Sequence, residues 1–149
     1  MAGSVTRLPD LGWMLHPLTR IPGVRHAVVV SEDGLRLGHD SAPGLTGEGL
    51  GLGVDEADAL AAACAALAVT GQSATGLLYG GGTRVRQLMI ESDSGFLLLT
   101  SAGLGASLGV ATDLAADVGL VAQQTQVLVV KIGAHLSSAP REPSTPPAS

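Results

Sequence analysis

The sequence predicts one α/β domain, in which a five-stranded antiparallel sheet is covered by helices on both faces. Two observations lead to this fold class. Three apolar segments have helical spacing, and five short segments rich in strand-forming residues are bounded by turn residues. The last three strands follow one another through short connections, which permit only antiparallel pairing because parallel strands need a long crossover. The predicted order is α-β-β-α-β-β-β-α.

The first helix and the first two strands are predicted from capping and turn residues. Asp10 is the predicted N-cap of a helix whose apolar residues recur three or four apart. Pro17 removes one helical hydrogen bond, so we expect this helix to be short or kinked. Strands are predicted at residues 24–30 and 35–38. The Asp33-Gly34 pair between them is a strong hairpin signal, because glycine accepts a positive φ at no steric cost.

The second helix is predicted to begin after a glycine-rich loop over residues 41–53. Asp55 is its predicted N-cap, and Gly80-Gly81-Gly82 is predicted to end it. Alanine covers most of its circumference, and a helix with so little polar surface is usually buried on two sides. In so small a domain, we expect one of these sides to face a second subunit.

The second half of the chain is predicted to hold strands at residues 84–91, 96–101 and 106–111, followed by the last helix. Thr112 is the predicted N-cap of that helix. Thr125 is the polar member of its apolar stripe, and we expect its hydroxyl to bond a carbonyl of the preceding turn. The stripe consists of Leu114, Val118, Val121, Thr125, Leu128, Ile132 and Leu136.

The 149 residues suit a single domain. Residues 1–8 lack periodicity and are predicted to be a flexible lead, and residues 9–136 form the predicted domain. Residues 137–149 are rich in proline and serine, which predicts a disordered tail.

Composition excludes several classes of function. The net charge is −5 and only 14% of the residues are charged, which argues against binding to nucleic acid or to anionic lipid. A single cysteine gives no sign of an oxidising compartment. The first residues do not resemble a signal peptide, and no apolar run reaches the roughly 20 residues that span a bilayer. We therefore expect a cytoplasmic protein without direct membrane insertion, which reaches a membrane only through its partners if at all.

The sequence holds no recognisable catalytic, cofactor or metal site. Ser31, His26 and Asp33 could suggest a hydrolase, but the serine and aspartate lie at a predicted turn and no nucleophile-elbow motif surrounds them. The glycine clusters lack the Lys-Ser/Thr of a phosphate-binding loop. The four histidines lack the spacing of a zinc site. We therefore predict a protein that is not an enzyme and needs no cofactor.

Three stretches, together with the element order, resemble bacterial members of the roadblock/dynein light chain family. They are residues 22–30 continuing to Asp33-Gly34-Leu35, residues 80–82 followed by 85–91, and residues 117–122. The resemblance implies a roadblock-like domain that forms a homodimer, with second helices side by side and third strands paired. It also implies a non-catalytic regulator or scaffold of a Ras-like small GTPase in a bacterial signalling or polarity system. In actinobacteria, a sensor kinase is a further partner that it implies.

Two candidate interaction surfaces are expected. Small residues on the second helix let two helices approach closely, although a helix buried within its own chain would have the same composition. Arg84 and Arg86 are two residues apart and share one strand face, which is either a partner-binding patch or a solvated side of the sheet. The candidate dimer-interface residues are Leu60, Ala61, Cys64, Leu67, Ala68, Val85 and Gln87.

Two other functions remain open at this point. A small-molecule sensor of the PAS or profilin-like type would need a concave pocket with converging polar groups. A scaffold associated with a sensor kinase would need no pocket. An enzyme ranks behind both, for want of catalytic residues.

Overall fold

The computed structural model describes residues 10–45 and 52–138. The predicted lead, residues 46–51 of the glycine-rich loop and nearly all of the predicted tail lie outside these residues. A 3-10 helix (Gly12–Leu15) runs directly into α1 (His16–Thr19). The other elements are β1 (Val24–Val30), β2 (Arg36–Ser41), α2 (Val54–Tyr79), β3 (Gln87–Glu91), β4 (Gly95–Gly103), β5 (Ala106–Asp113) and α3 (Val118–Ser137).

The five strands form one sheet in the order β2-β1-β5-β4-β3, and every pair is antiparallel. The predicted element order and fold class are therefore confirmed. α2 covers one face, while the 3-10 helix, α1 and α3 cover the other. β5 is the central strand, and β2 and β3 are the two edge strands.

The two layers differ in size. The α3 side holds a large cluster of buried side chains, which includes Leu15, Leu98, Leu108 and Ile132. On the α2 side only Val28, Val30, Ala61, Cys64 and Leu99 are buried together. Most of the apolar burial that stabilises the chain therefore lies between the sheet and α3.

The first helix is short, as Pro17 predicts, and it covers the edge of the sheet. The Gly12 amide donates to Asp10 Oδ1 at 3.0 Å, although the helix starts after Leu11 and not after Asp10. The Leu11 amide donates to the Leu37 carbonyl of β2 at 2.8 Å. A Cβ atom on Gly38 would lie 2.5 Å from the Gly12 nitrogen, so this close approach requires glycine.

Two further predicted N-caps are wrong. α2 begins at Val54 after Gly53, and Asp55 lies within its first turn. Thr112 is part of β5, which continues to Asp113, and α3 begins only after Asp117. The Leu120 amide donates to Asp117 Oδ1 at 3.1 Å, so aspartate caps the helix.

The strand boundaries also differ from the predicted ones. β3 begins at Gln87 and not at residue 84, whereas β2, β4 and β5 each extend beyond the predicted residues. Leu114, predicted on the α3 stripe, precedes the helix and is exposed. Side-chain periodicity located each strand, but backbone pairing with the neighbouring strand decides where it ends.

The Thr125 hydroxyl is fully buried and has no hydrogen-bond partner in the described part of the chain, so the predicted bond to the preceding turn is wrong. Its neighbours along the buried stripe of α3 are apolar, among them Val121, Leu128 and Val129. Burial of an unpaired hydroxyl is unfavourable by roughly 1–3 kcal/mol. This group therefore reduces the stability of the α3 layer.

We expect Thr125→Val to raise the free energy of unfolding by about 1 kcal/mol, because valine keeps the shape and removes the unpaired hydroxyl. Urea denaturation followed by circular dichroism measures the change. The matched control is Thr19→Val, since Thr19 is also buried but its hydroxyl donates to Asp40 Oδ2 at 2.5 Å. That variant should lose stability, and equal losses in both variants would contradict the assignment.

Candidate functional site

A groove lies between the C-terminal half of α2 and the strands β3 and β4, with a volume of about 450 Å³. It exists because α2 packs over β1, β2 and β5 and leaves the sheet surface beyond them uncovered. Its apolar lining is formed by Leu67, Ala68, Val69, Val85, Leu88, Leu99 and Leu104.

The position of α2 depends on small residues where it meets the sheet. Ala57, Ala61 and Cys64 are its buried residues. A Cβ atom on Gly109 of β5 would lie 3.1 Å from Cys64 Sγ and 3.2 Å from Val28 Cγ1, so the helix and sheet approach closely here. Burial raises the pKa of the Cys64 thiol to about 11, so the sulfur is a protonated core atom at neutral pH.

The outer side of α2 is left without a covering layer in the described chain. Val69 is 60% exposed, and the last turn exposes Leu77 by 90% and Leu78 by 74%. Exposed side chains of this size at one end of a helix form the kind of apolar surface that marks an interaction site.

β3 presents an open edge next to the groove. The Ser101 amide of β4 donates to the Arg86 carbonyl at 3.0 Å, and bonded pairs alternate along an antiparallel ladder. The main-chain groups of Gln87, Met89 and Glu91 therefore point away from β4. The opposite edge, β2, is covered by the 3-10 helix, so β3 is the edge that a further strand can reach.

Two arginines line the groove without an ion-pair partner among the described residues, Arg84 and Arg86. By contrast, Arg25 pairs with Asp113, and Arg36 Nε lies 2.7 Å from Asp58 Oδ1. Both arginines precede β3, which begins at Gln87, so neither belongs to the strand on which they were predicted.

A glutamine fixes the segment that carries the two arginines. Gln72 Nε2 donates to the Thr83 carbonyl, and the Val85 amide donates to Gln72 Oε1 at 3.0 Å. These bonds hold the main chain on both sides of Arg84 against α2.

The seven candidate dimer residues fall into two groups. Ala61 and Cys64 are fully buried against the sheet of their own chain. The other five lie at the surface or the rim of the groove: Leu60, Leu67, Ala68 and Val85 are half-buried, and Gln87 is exposed on the open edge. The structure thus brings Leu67, Ala68, Val85, Arg84 and Arg86 together in one groove.

The sequence did not predict which residues form the floor and the open edge of the groove. Leu88 and Leu99 are opposite each other on β3 and β4 and form the floor, and Met89 is 48% exposed on the edge. The strand period shows that Leu88 and Met89 face opposite sides, but only the sheet order shows that β3 is uncovered.

The residues that could have suggested a hydrolase do not form a triad. His26 Nδ1 lies 2.9 Å from Ser41 Oγ, whereas Ser31 Oγ accepts a hydrogen bond from the Leu35 amide within the hairpin. Burial, with smaller effects of Arg25 and His39, lowers the pKa of His26. Within residues 10–45 and 52–138, no three histidine, cysteine or acidic side chains come together as metal ligands would.

By length and composition, α2 is the one helix in the described part of the chain that could cross a membrane. In this fold the side of α2 that carries Ala57, Ala61 and Cys64 packs on the sheet.

The chain matches the Roadblock/LC7 domain over residues 11–112, which include all five strands of the sheet apart from the last residue of β5. The chain belongs to the Roadblock/LC7 family. This match confirms the resemblance to the roadblock family that the sequence analysis stated. A comparison with curated proteins gave no match.

Solved structures agree with this assignment. A Roadblock/LC7 domain from Streptomyces avermitilis is 33% identical, with a TM-score of 0.74, over 87% of this chain and 99% of that one. The gliding protein MglB of Thermus thermophilus is 22% identical, with a TM-score of 0.72, over 85% and 88%. An MglB with a tetrameric arrangement is 23% identical, with a TM-score of 0.70, over 82% and 84%. At such identities, the two MglB structures show a shared fold.

We expect the Cys64 thiol of the native Roadblock/LC7 domain to resist a disulfide reagent at pH 8. With a pKa of about 11, roughly one thiol in a thousand is ionised at that pH, and the side chain is fully buried. Absorbance of the released thiolate measures the rate. The same chain in denaturant should react at once. Rapid labelling of the native chain would mean that α2 does not pack on the sheet as described.

Proposed function

We propose that this chain is a dimeric, non-catalytic regulator or scaffold of a Ras-like small GTPase that works in the cytoplasm. The observation that carries the proposal is an apolar groove beside an open strand edge in a Roadblock/LC7 domain. The names of the MglB neighbours associate this fold with gliding proteins, and the family resemblance adds the GTPase.

The dimer is supported first by the strand edges. Pairing of two β3 strands would use the outward main-chain groups of Gln87, Met89 and Glu91 and would continue the sheet into a second subunit. A two-fold axis at Met89 would set Gln87 opposite Glu91 of the partner subunit, so no like charges would face each other. The other edge is unavailable, because the 3-10 helix covers β2.

The groove supports the same arrangement. Continuing the sheet beyond β3 would bring the second α2 over the uncovered surface that Leu88 and Leu99 form. The α2 of each subunit would then bury Leu67, Ala68 and Val69, which line the groove. Burial of this apolar area stabilises an interface at about 25 cal/mol per Å² before the cost of association.

The GTPase contact is proposed for Arg84 and Arg86, which lie at the groove with no ion pair among the described residues. Free guanidinium groups suit the acidic and phosphate-bearing surface of a nucleotide-binding partner. A sensor kinase is an alternative partner, and only the family resemblance supports it.

A second candidate function has one observation in its favour. The 450 Å³ groove is in the size range of small-molecule sites, and Gln72, Ser101 and Ser107 add polar groups to its lining. A ligand that stays bound to the purified protein in native mass spectrometry would favour a sensor. A dimer without such a ligand would favour the interface.

We expect Met89→Pro to convert the dimer into a monomer. Proline removes the outward-facing amide of the open edge and leaves the hydrogen bonds between β3 and β4 intact. Light scattering after gel filtration measures the mass, and circular dichroism checks the fold. Met89→Thr is the matched control, because threonine keeps the amide and suits a strand. A folded Met89→Pro dimer would contradict pairing through β3.

We expect the native dimer to capture a Ras-like GTPase from lysate of its source in one nucleotide state, with GDP and a non-hydrolysable GTP analogue compared. The double variant Arg84→Glu/Arg86→Glu should bind that GTPase about tenfold more weakly, which corresponds to ~1.4 kcal/mol, and should remain dimeric. Arg20→Glu reverses a charge on another surface and should bind normally. Capture of no GTPase in either state would refute the proposal.

A further inference from the structure

α3 carries apolar side chains on two sides. On the side away from the sheet, Leu120 is 39% exposed, Val127 is 50% exposed and Val130 is 71% exposed. A helix at the surface of a domain is usually polar on its outer side. The packing of the single chain therefore gives no reason for these three residues. The side toward the sheet holds the buried residues of the helix, which are Val121, Thr125, Leu128, Val129 and Ile132.

The exposed apolar residues follow the spacing of a coiled-coil helix. Leu120, Val127 and Ala134 are seven residues apart, and Val130 follows Val127 by three. In a heptad such positions form one seam, into which a facing helix packs its own side chains. All of them are exposed. We call this seam the outer stripe of α3, and it consists of Leu120, Gln123, Val127, Val130, Ala134 and Ser137.

The outer stripe itself carries no charge, which limits the kind of partner that it fits. Lys131, which flanks it, and His135 are the two ionisable side chains of α3. A partner helix with charged residues at the contact would lose their hydration without gaining an opposite charge. The partner must therefore present an equally uncharged seam. The α3 of a second copy has that seam, and a two-fold axis would bring the same residues of both copies together.

We propose that two copies of the chain associate through the outer stripes of their α3 helices, packed antiparallel. The antiparallel arrangement opposes the two helix dipoles, which is the favourable orientation. It sets Val127 opposite Val130 of the partner subunit, and the axis repeats this pair, so four valines form the centre of the contact. Ala134 lies opposite Gln123 of the partner subunit, whose amide stays at the rim.

The length of the outer stripe limits the strength of this contact. From Leu120 to Ser137 the helix rises about 25 Å. A pair of helices of this length buries an area at the low end of specific interfaces. The association is therefore expected to be weak and to appear only at high protein concentration, whereas gel filtration dilutes the sample and separates the copies.

The α3 contact does not depend on pairing through β3, because the two surfaces lie on different elements. If both contacts form, a dimer joined through β3 becomes a tetramer at high concentration. If β3 does not pair, a monomer becomes a dimer. The doubling of mass tests the α3 contact in either case, and the mass at low concentration tests β3 separately.

Sedimentation equilibrium of the full chain, from low to high protein concentration, measures this doubling. We expect Val127→Glu/Val130→Glu to weaken it at least tenfold, because four carboxylates would meet at the centre of the contact. Both valines are exposed in the single chain, so the variant should remain folded, which circular dichroism checks. Leu35→Glu is the matched control, because Leu35 is 48% exposed at the turn between β1 and β2, and it should associate normally.

A second pair of variants tests the orientation of the helices. In the antiparallel arrangement, Gln124 lies across from Lys131 of the partner subunit on one flank of the stripe. Gln124→Glu should strengthen the association about fivefold at low salt, because the axis repeats the new ion pair, and Gln124→Lys should weaken it by a similar factor. Equal association of these two variants would overturn the antiparallel arrangement. A mass that stays constant over the whole concentration range would overturn the proposal.

Discussion

The close approach of α2 to the sheet is the constraint on which the rest of the structure depends. Gly109 leaves room for the Cys64 sulfur, and Ala57 and Ala61 let the helix axis come near the strands. Small side chains bury little area, so the α2 layer contributes much less apolar burial than the α3 layer. The domain is therefore stabilised from one side, and the other side is left with an incomplete core. Apolar groups that would lie inside a larger domain remain at the surface, and these are the groups that form the groove.

The element order was predictable from the sequence because several local signals agree with one another. Asp33-Gly34 and Gly103-Leu104-Gly105 mark hairpins, and Gly80 ends α2 with a φ of 105° that glycine adopts without strain. The errors fall where two local signals compete. Thr112 is a good capping residue but also a good strand former, and its pairing with Phe96 and Val24 keeps it in β5. Asp117, five residues later, caps α3 instead. Pairing with residues distant in the sequence decides whether Thr112 belongs to the strand or caps the helix. The sequence around Thr112 does not reveal that pairing.

The candidate site was predictable in part, for a physical reason. Alanine occupies both the buried and the exposed positions of α2, so the sequence marks the helix as unusual without telling its two sides apart. Ala61 and Cys64 were grouped with Leu67 and Ala68, although the first two face the sheet and the others line the groove. Which side faces inward depends on the strands beneath the helix. Likewise, Met89 becomes an edge residue only because the sheet order places β3 last.

The two edges of the sheet together determine what kind of assembly this fold can support. A sheet with two open edges can add strands without limit, which leads to fibres, whereas a sheet with one open edge can pair only once. Here the Leu11 amide and the close packing of Gly12 on Gly38 occupy the β2 edge. Pairing through β3 would therefore join two copies, and no further chain could add a strand to the sheet. The segment around Leu11 and Gly12 thus leaves β3 as the edge through which a further strand could pair.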